Sequence, residues 1–104
     1  MYVNFTTLKI DPEKIEAFHK AIYNETTREI LEETEGAKDS YLLHSLDQPG
    51  TVISVSTGES LEGMMKGMQS SKYAVIIEKI RPFLLAQPER QMFEIIDQIV
   101  KEEK

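Results

Sequence analysis

Few side chains of this 104-residue chain are equipped to act on a small molecule, and most of them sit among apolar neighbours. Asn4 stands between Val3 and Phe5 in Tyr2–Ile10, a stretch whose alternate residues fall on opposite faces of a strand. A sheet covered on both sides would bury that amide, and a buried amide needs hydrogen-bond partners, from the protein or from a ligand. Ser54 and Ser56 share one face of a later strand, where small side chains leave room for a molecule or for close helix packing. Tyr23 and Tyr73 can each donate an O–H into a pocket, or point to water at its rim. Met64, Met65 and Met68 follow Leu61 at helical spacing. The usual meaning is core packing, but a thioether stripe also suits a pliable wall against a flat apolar ligand.

Other chemistries lack their parts. The two histidines, His19 and His44, are far apart in sequence, and no His-x-His or His-x3-His spacing offers a metal site. His44 alternates with Leu42 and Leu46, so a satisfied or edge-exposed histidine is expected rather than a catalyst. Zero cysteines remove disulfides, zinc–thiolate sites and thiol chemistry, which fits a reducing cytoplasm. No Gly-rich phosphate loop, nucleophile elbow or serine–histidine–acid order is present. The net charge of −6 argues against a nucleic-acid footprint, which needs a basic face. Apolar runs are too short to span a membrane, and Met1–Phe5 has neither the basic start nor the apolar core of a signal peptide. Forty per cent hydrophobic and 29% charged residues point to one globular domain over residues 1–104.

The elements that must position these residues can be read in order. Tyr2–Ile10 is the first strand. Asp11-Pro12-Glu13 starts a helix, with Asp11 as cap, Pro12 at the first position and Glu13 complementing the dipole. Ile15, Phe18, Ile22, Thr26 and Ile30 form a stripe that carries this helix to about Glu35, before Gly36 stops it. The glutamates of its far end, Glu25 to Glu35, read as a solvated face. Ser40–Leu46 and Thr51–Ser56 are strands joined through Gln48-Pro49-Gly50-Thr51, a type II turn sequence. Ser60 caps a helix in which Gly63 and Gly67 cost about 1 kcal/mol each against Ala, but bare a groove that another backbone or a ligand could approach. Ser70-Ser71 breaks it, a second pattern runs from Tyr73 to Leu84, and Pro82 should end or bend that one. The tail fits a helical stripe locally. A sheet needs a fourth strand to cover its edge, however, so Arg90–Gln98 is read as a strand.

Strand, helix, two strands, helix, strand is the ferredoxin-like βαββαβ arrangement, an α+β fold with a four-stranded antiparallel sheet. Its helices cover one face. With Asn4, Thr6, Val52, Ser54 and Ser56 under the helices, Val3, Phe5, Ile53 and Val55 occupy the other. An apolar outer face predicts a homodimer with sheets packed face to face.

Asn4 in the opening strand, the turn LDQPG, the strand VISVS running into GESLEGM, and SSKYAVIIEKIRPFL together resemble the antibiotic biosynthesis monooxygenase domain family, across nearly the whole chain. The resemblance implies a dimeric α+β barrel with a ligand pocket between sheet and helices of each protomer. Some members are oxygenases that act on quinol-like aromatics without flavin or metal; others bind and degrade haem. Asn4 matches a pocket asparagine that holds a substrate oxygen, Tyr73 an aromatic position on the second helix, and Arg90 a basic residue near the start of the last strand. Ser56 stands where catalytic members carry a tryptophan, and Ile77 where haem degraders carry the iron-ligating histidine.

Three functions follow as expectations. The first is a cofactor-independent monooxygenase acting on a small aromatic or quinol, with Asn4, Tyr73 and Arg90 as its catalytic groups. Tyr23, Ser54, Ser56, Met64 and Met68 would complete the substrate site. The second is a dimeric module that binds a small apolar ligand without chemistry. Haem degradation ranks below both. No cofactor and no metal is expected.

Overall fold

The computed structural model describes residues 1–23 and 25–102. Strands β1 (Tyr2–Lys9), β2 (Ala37–His44), β3 (Thr51–Gly58) and β4 (Glu89–Glu94) form one antiparallel sheet in the order β2-β3-β1-β4. Helices α1 (Ile15–Ile22) and α2 (Glu25–Glu33) precede β2, and α3 (Leu61–Met68) and α4 (Ser71–Ile80) precede β4. This is the ferredoxin-like α+β fold.

The hairpin between β2 and β3 turns where its sequence says it should. The N–H of Thr51 donates to the carbonyl of Gln48 at 3.0 Å, and Gly50 takes φ +91°, the left-handed value a type II turn requires at that position. A Cβ on Gly50 would sit 2.3 Å from the carbonyl oxygen of Ile10, so only glycine fits. His44 also has a structural use: its Nε2 accepts the N–H of Gly50 at 3.0 Å.

Helix boundaries follow local chemistry. Asp11 Oδ1 accepts the N–H of Glu13 at 3.0 Å, and Pro12–Lys14 form a 3-10 turn leading into α1. The Ser60 and Ser70 hydroxyls accept the N–H groups of Gly63 and Tyr73, capping α3 and α4. Pro82 lies in a 3-10 turn, Arg81–Phe83, that ends α4 at Ile80. Gly63 lets another backbone approach, and Gly67 a side chain. A Cβ on Gly63 would lie 2.2 Å from the Glu35 carbonyl oxygen, and one on Gly67 2.7 Å from the Thr34 hydroxyl.

Two expectations need correction. The first helix does not run unbroken to Glu35. It ends at Ile22, Tyr23 adopts a non-helical φ −100°, ψ 81°, and a separate helix begins at Glu25; residue 24 lies outside the described residues. In a continuous helix the Ile22 carbonyl would take the N–H of Thr26. Here it accepts the Thr27 hydroxyl, a local competitor of helical bonding. The last strand stops at Glu94, not Gln98, because its partner runs out: Glu94 pairs with Tyr2, and the N–H of Ile95 makes the last bond to the Met1 carbonyl.

The inner face of the sheet grades from filled to open along its length. At one end Leu8 opposes Val52, and both join Ile10, Phe18, Ile22, Ile76 and Ile80 in the core. Burying a side chain such as Phe18 stabilises the fold by about 1.5–3 kcal/mol. Further along, the pairs are Thr6 with Ser54 and Asn4 with Ser56. Thr6, Ser54 and Ser56 are too small to fill the space below the helices, Asn4 alone of the four reaching the Met68 sulfur, and the layers stand apart over a void.

Candidate ligand chamber

That void is a chamber of about 370 Å³ between the sheet and α2, α3 and α4, within the range of small-molecule pockets. β1 contributes Asn4 and Thr6 to its floor and β3 Ser54 and Ser56. α3 adds Met64 and Met68 as a wall, α4 adds Tyr73, Ile76 and Ile77, and β4 adds Arg90. All eight candidate residues named from the sequence, Asn4, Tyr23, Ser54, Ser56, Met64, Met68, Tyr73 and Arg90, line this one space.

Asn4 is 7% exposed. Its Nδ2 donates to the Met68 sulfur at 3.7 Å, a weak acceptor, while its Oδ1 is fully buried and has no partner among the described residues. An unsatisfied buried carbonyl costs about 1–3 kcal/mol. The floor thus presents an acceptor that lacks a donor, beside the small side chains of Thr6, Ser54 and Ser56 and facing the Met68 thioether.

At the exposed side, Arg90 occupies the inner face of β4 opposite Thr6, diagonally across from Asn4. Its Nη2 donates to the Tyr73 hydroxyl at 2.8 Å and its guanidinium lies 5.9 Å from that ring's centroid. Among the described residues it has no carboxylate partner, so its charge remains available to a ligand. Tyr23 and Ser40 share a hydrogen bond of 3.0 Å on another wall. Burial raises the Tyr23 phenol above its ordinary pKa, and the bond to Ser40 only partly opposes this, so it stays protonated at neutral pH.

α2 is the roof, bringing Thr27, Ile30 and Leu31 over the space, with Thr34 just past its end. Lys72 of α4 fastens it, reaching Glu33 at 2.8 Å and Glu29 at 3.0 Å. Those two bonds, Glu33 first, hold the Lys72 ammonium above its ordinary pKa. Ser40 was placed on a strand but not in the site, and Ile30 was already in the stripe read from the sequence; Thr27, Leu31 and Thr34 were missed, because a continuous first helix would have aimed Thr26 inward in their place. Their spacing, 27-31-34, was the available signal.

No aspartate, glutamate or histidine lines the chamber, and no group of three or more metal-ligating side chains occurs among the described residues. Ile77 lies in the chamber wall, while both histidines are exposed. No helix among the described residues is long and apolar enough to cross a membrane.

No protein-family model matches the chain, and no curated protein matches it. Solved structures do. A monooxygenase of Streptomyces coelicolor, solved with the ligand nanaomycin D, superposes with a TM-score of 0.83 at 17% identity, covering 97% of this chain and 92% of its own. A protein of Caulobacter crescentus named for antibiotic biosynthesis monooxygenases gives 0.81 at 14% identity, covering 92% and 90%. One of Deinococcus radiodurans with the same name gives 0.76 at 14%, covering 99% and 100%. At such identities the likeness is one of fold. The chain has the ferredoxin-like α+β fold of the antibiotic biosynthesis monooxygenase structures.

Proposed function

We propose that the chamber binds a small hydroxylated aromatic and that the chain oxidises it with dioxygen, without a bound cofactor. The observation that carries this reading is the buried, partnerless Oδ1 of Asn4 on the floor of an apolar chamber. A phenolic O–H supplies the missing donor, and the ring fills space that the Ser54 and Ser56 side chains leave empty. Arg90 stands where a ring oxygen can approach it, and its charge favours the ionised form of the ligand. With no carboxylate or histidine in the wall, the protein makes the substrate a stronger acid, by lowering its pKa, rather than supplying a strong base. The electron-rich anion then adds dioxygen at carbon, the O–O bond breaks, a ring C–H becomes a carbonyl, and the second oxygen leaves as water. For 1,5-dihydroxynaphthalene the product is 5-hydroxy-1,4-naphthoquinone. The structures of like fold that carry the monooxygenase name support this direction.

The same wall also supports a second reading, a module that binds the aromatic and leaves it unchanged. The absence of a base among the lining residues, and Ser56 in place of a tryptophan, favour it. Oxygen uptake with 1,5-dihydroxynaphthalene separates the two. The monooxygenase reading expects protein-dependent uptake with quinone absorbance, reduced roughly tenfold or more in Asn4→Ala, in keeping with about 1.4 kcal/mol or more of lost interaction. Binding without uptake leaves the module.

We also propose that two copies pair through their outer sheet faces, and that the protein works in the cytoplasm as one domain. Val3, Phe5, Ile53 and Val55 lie on the outer face with Tyr41, Leu43 and Phe93, the last three 46–49% exposed. Phe5 and Phe93 already pack edge to face at 5.3 Å.

A further inference from the structure

Outside the chamber, against α2 and β2, lies an open groove of about 540 Å³ lined by Tyr23, Glu25, Thr27, Arg28, Leu31 and Ser40. Four of these six, Tyr23, Thr27, Leu31 and Ser40, line the chamber as well, so the two spaces share a wall. The Tyr23–Ser40 hydrogen bond belongs to that wall. The spaces differ in chemistry. The chamber is walled mainly by apolar side chains, with its orphaned acceptor on the floor. The groove presents a carboxylate, a guanidinium and three hydroxyls around a single leucine. Among the described residues neither Glu25 nor Arg28 has an ion-pair partner, although they stand one turn apart on the same helix.

Resting on the reading of the chamber as an aromatic site, we propose that the natural ligand has two parts. One is a hydroxyaryl body in the chamber. The other is an uncharged, hydroxyl-rich arm, such as a sugar, that passes between Tyr23 and Ser40 into the groove. An arm that is both donor and acceptor satisfies the groove: its hydroxyls donate to Glu25 and accept from Arg28. A purely anionic arm meets the Glu25 carboxylate, and a purely cationic one meets Arg28, so either gains from one group and loses to the other. An apolar arm would desolvate both charges without replacing their water. Passage requires the Tyr23 and Ser40 side chains, now 3.0 Å apart, to separate, and the linking oxygen then accepts from their hydroxyls in place of the bond that opens. This assigns Glu25 and Arg28 a role in choosing among aromatic ligands, a role the chamber's own residues cannot perform.

The test compares 1,5-dihydroxynaphthalene with its mono-O-glucoside by calorimetric titration under argon. The glucoside keeps one free phenol for Asn4. It should bind about tenfold more tightly than the diol, and Glu25→Ala and Arg28→Ala should each pull that ratio toward one. Circular dichroism melts confirm that both surface variants fold. A glucoside that binds no better than the diol overturns the proposal while leaving the chamber reading intact, as does a ratio that both variants preserve. Failure of the diol itself to bind removes the chamber reading, and the two-part ligand with it.

Discussion

At the scale of single residues, the site is built from groups left wanting. Asn4 keeps an amide in a place where leucine would pack better, and Arg90 keeps a guanidinium without a carboxylate. Tyr23 differs from these. Its hydroxyl is satisfied by Ser40, and its burial makes it a weaker acid than a free tyrosine. The consequence for stability has a definite sign. A folded-state pKa raised above the unfolded value of 10.0 gives a contribution that is complete below that pH and lost as pH climbs through the folded value. Chemical denaturation measured from pH 8 to pH 11 should therefore show alkaline destabilisation in the native chain, and a flatter profile in Tyr23→Phe. Equal slopes for the two would mean that the buried phenol is not a source of the alkaline loss.

At the scale of elements, close approach explains residues that look like weaknesses. Gly63 sacrifices about 1 kcal/mol of helix propensity against alanine. It lies where a Cβ would press on the Glu35 carbonyl oxygen, a backbone atom that cannot swing aside. Overpacking costs about 1–3 kcal/mol, so the clash matches or outweighs the propensity gain, and Gly63→Ala should lower stability by up to about 2 kcal/mol in urea titration. A variant more stable than the native chain would show that α3 has room to shift. The hairpin turn, the Ser60 cap and the Ser70-Ser71 break were legible because each depends on two to four adjacent residues; that Ser70 also caps the helix after the break was not read. The end of β4 and the break after α1 were not. Glu94 is terminal because β1 begins at Tyr2, a fact of pairing that the tail does not contain. Thr27 competes for the Ile22 carbonyl only once α2 is needed as a roof. Five of the eight chamber residues were legible for a third reason, whereas Arg90 came from the family resemblance alone. Strand alternation put Asn4 and the two serines on one face, and helical spacing turned Met64 and Met68 toward it. The roof, whose phase depended on the helix break, was not.

At the scale of the whole molecule, the sheet has one face committed to core and chamber and one still apolar. The tail adds to the exposed surface: Ile96 and Ile99 are each 93% exposed. Pairing of outer faces would bury Tyr41, Leu43 and Phe93 together, and a charge placed among them should be expelled. Sedimentation velocity should give the mass of two chains for the native protein and of one chain for Phe93→Glu or Leu43→Glu, with the circular dichroism spectrum retained. A native protein sedimenting as one chain would remove the dimer from the account and leave the chamber, which lies on the opposite face.

The central claim is that an unpaired acceptor in a greasy hollow exists for a ligand. Asn4→Leu tests it most directly, because the two effects of the change have opposite signs. Removing a buried amide whose oxygen lacks a partner and whose nitrogen has only a weak one should raise the unfolding free energy by about 1 kcal/mol or leave it unchanged. The same change should weaken anaerobic binding of 1,5-dihydroxynaphthalene at least tenfold from one molecule per chain. A variant that is markedly less stable, or that binds the diol as well as the native chain does, would contradict the account.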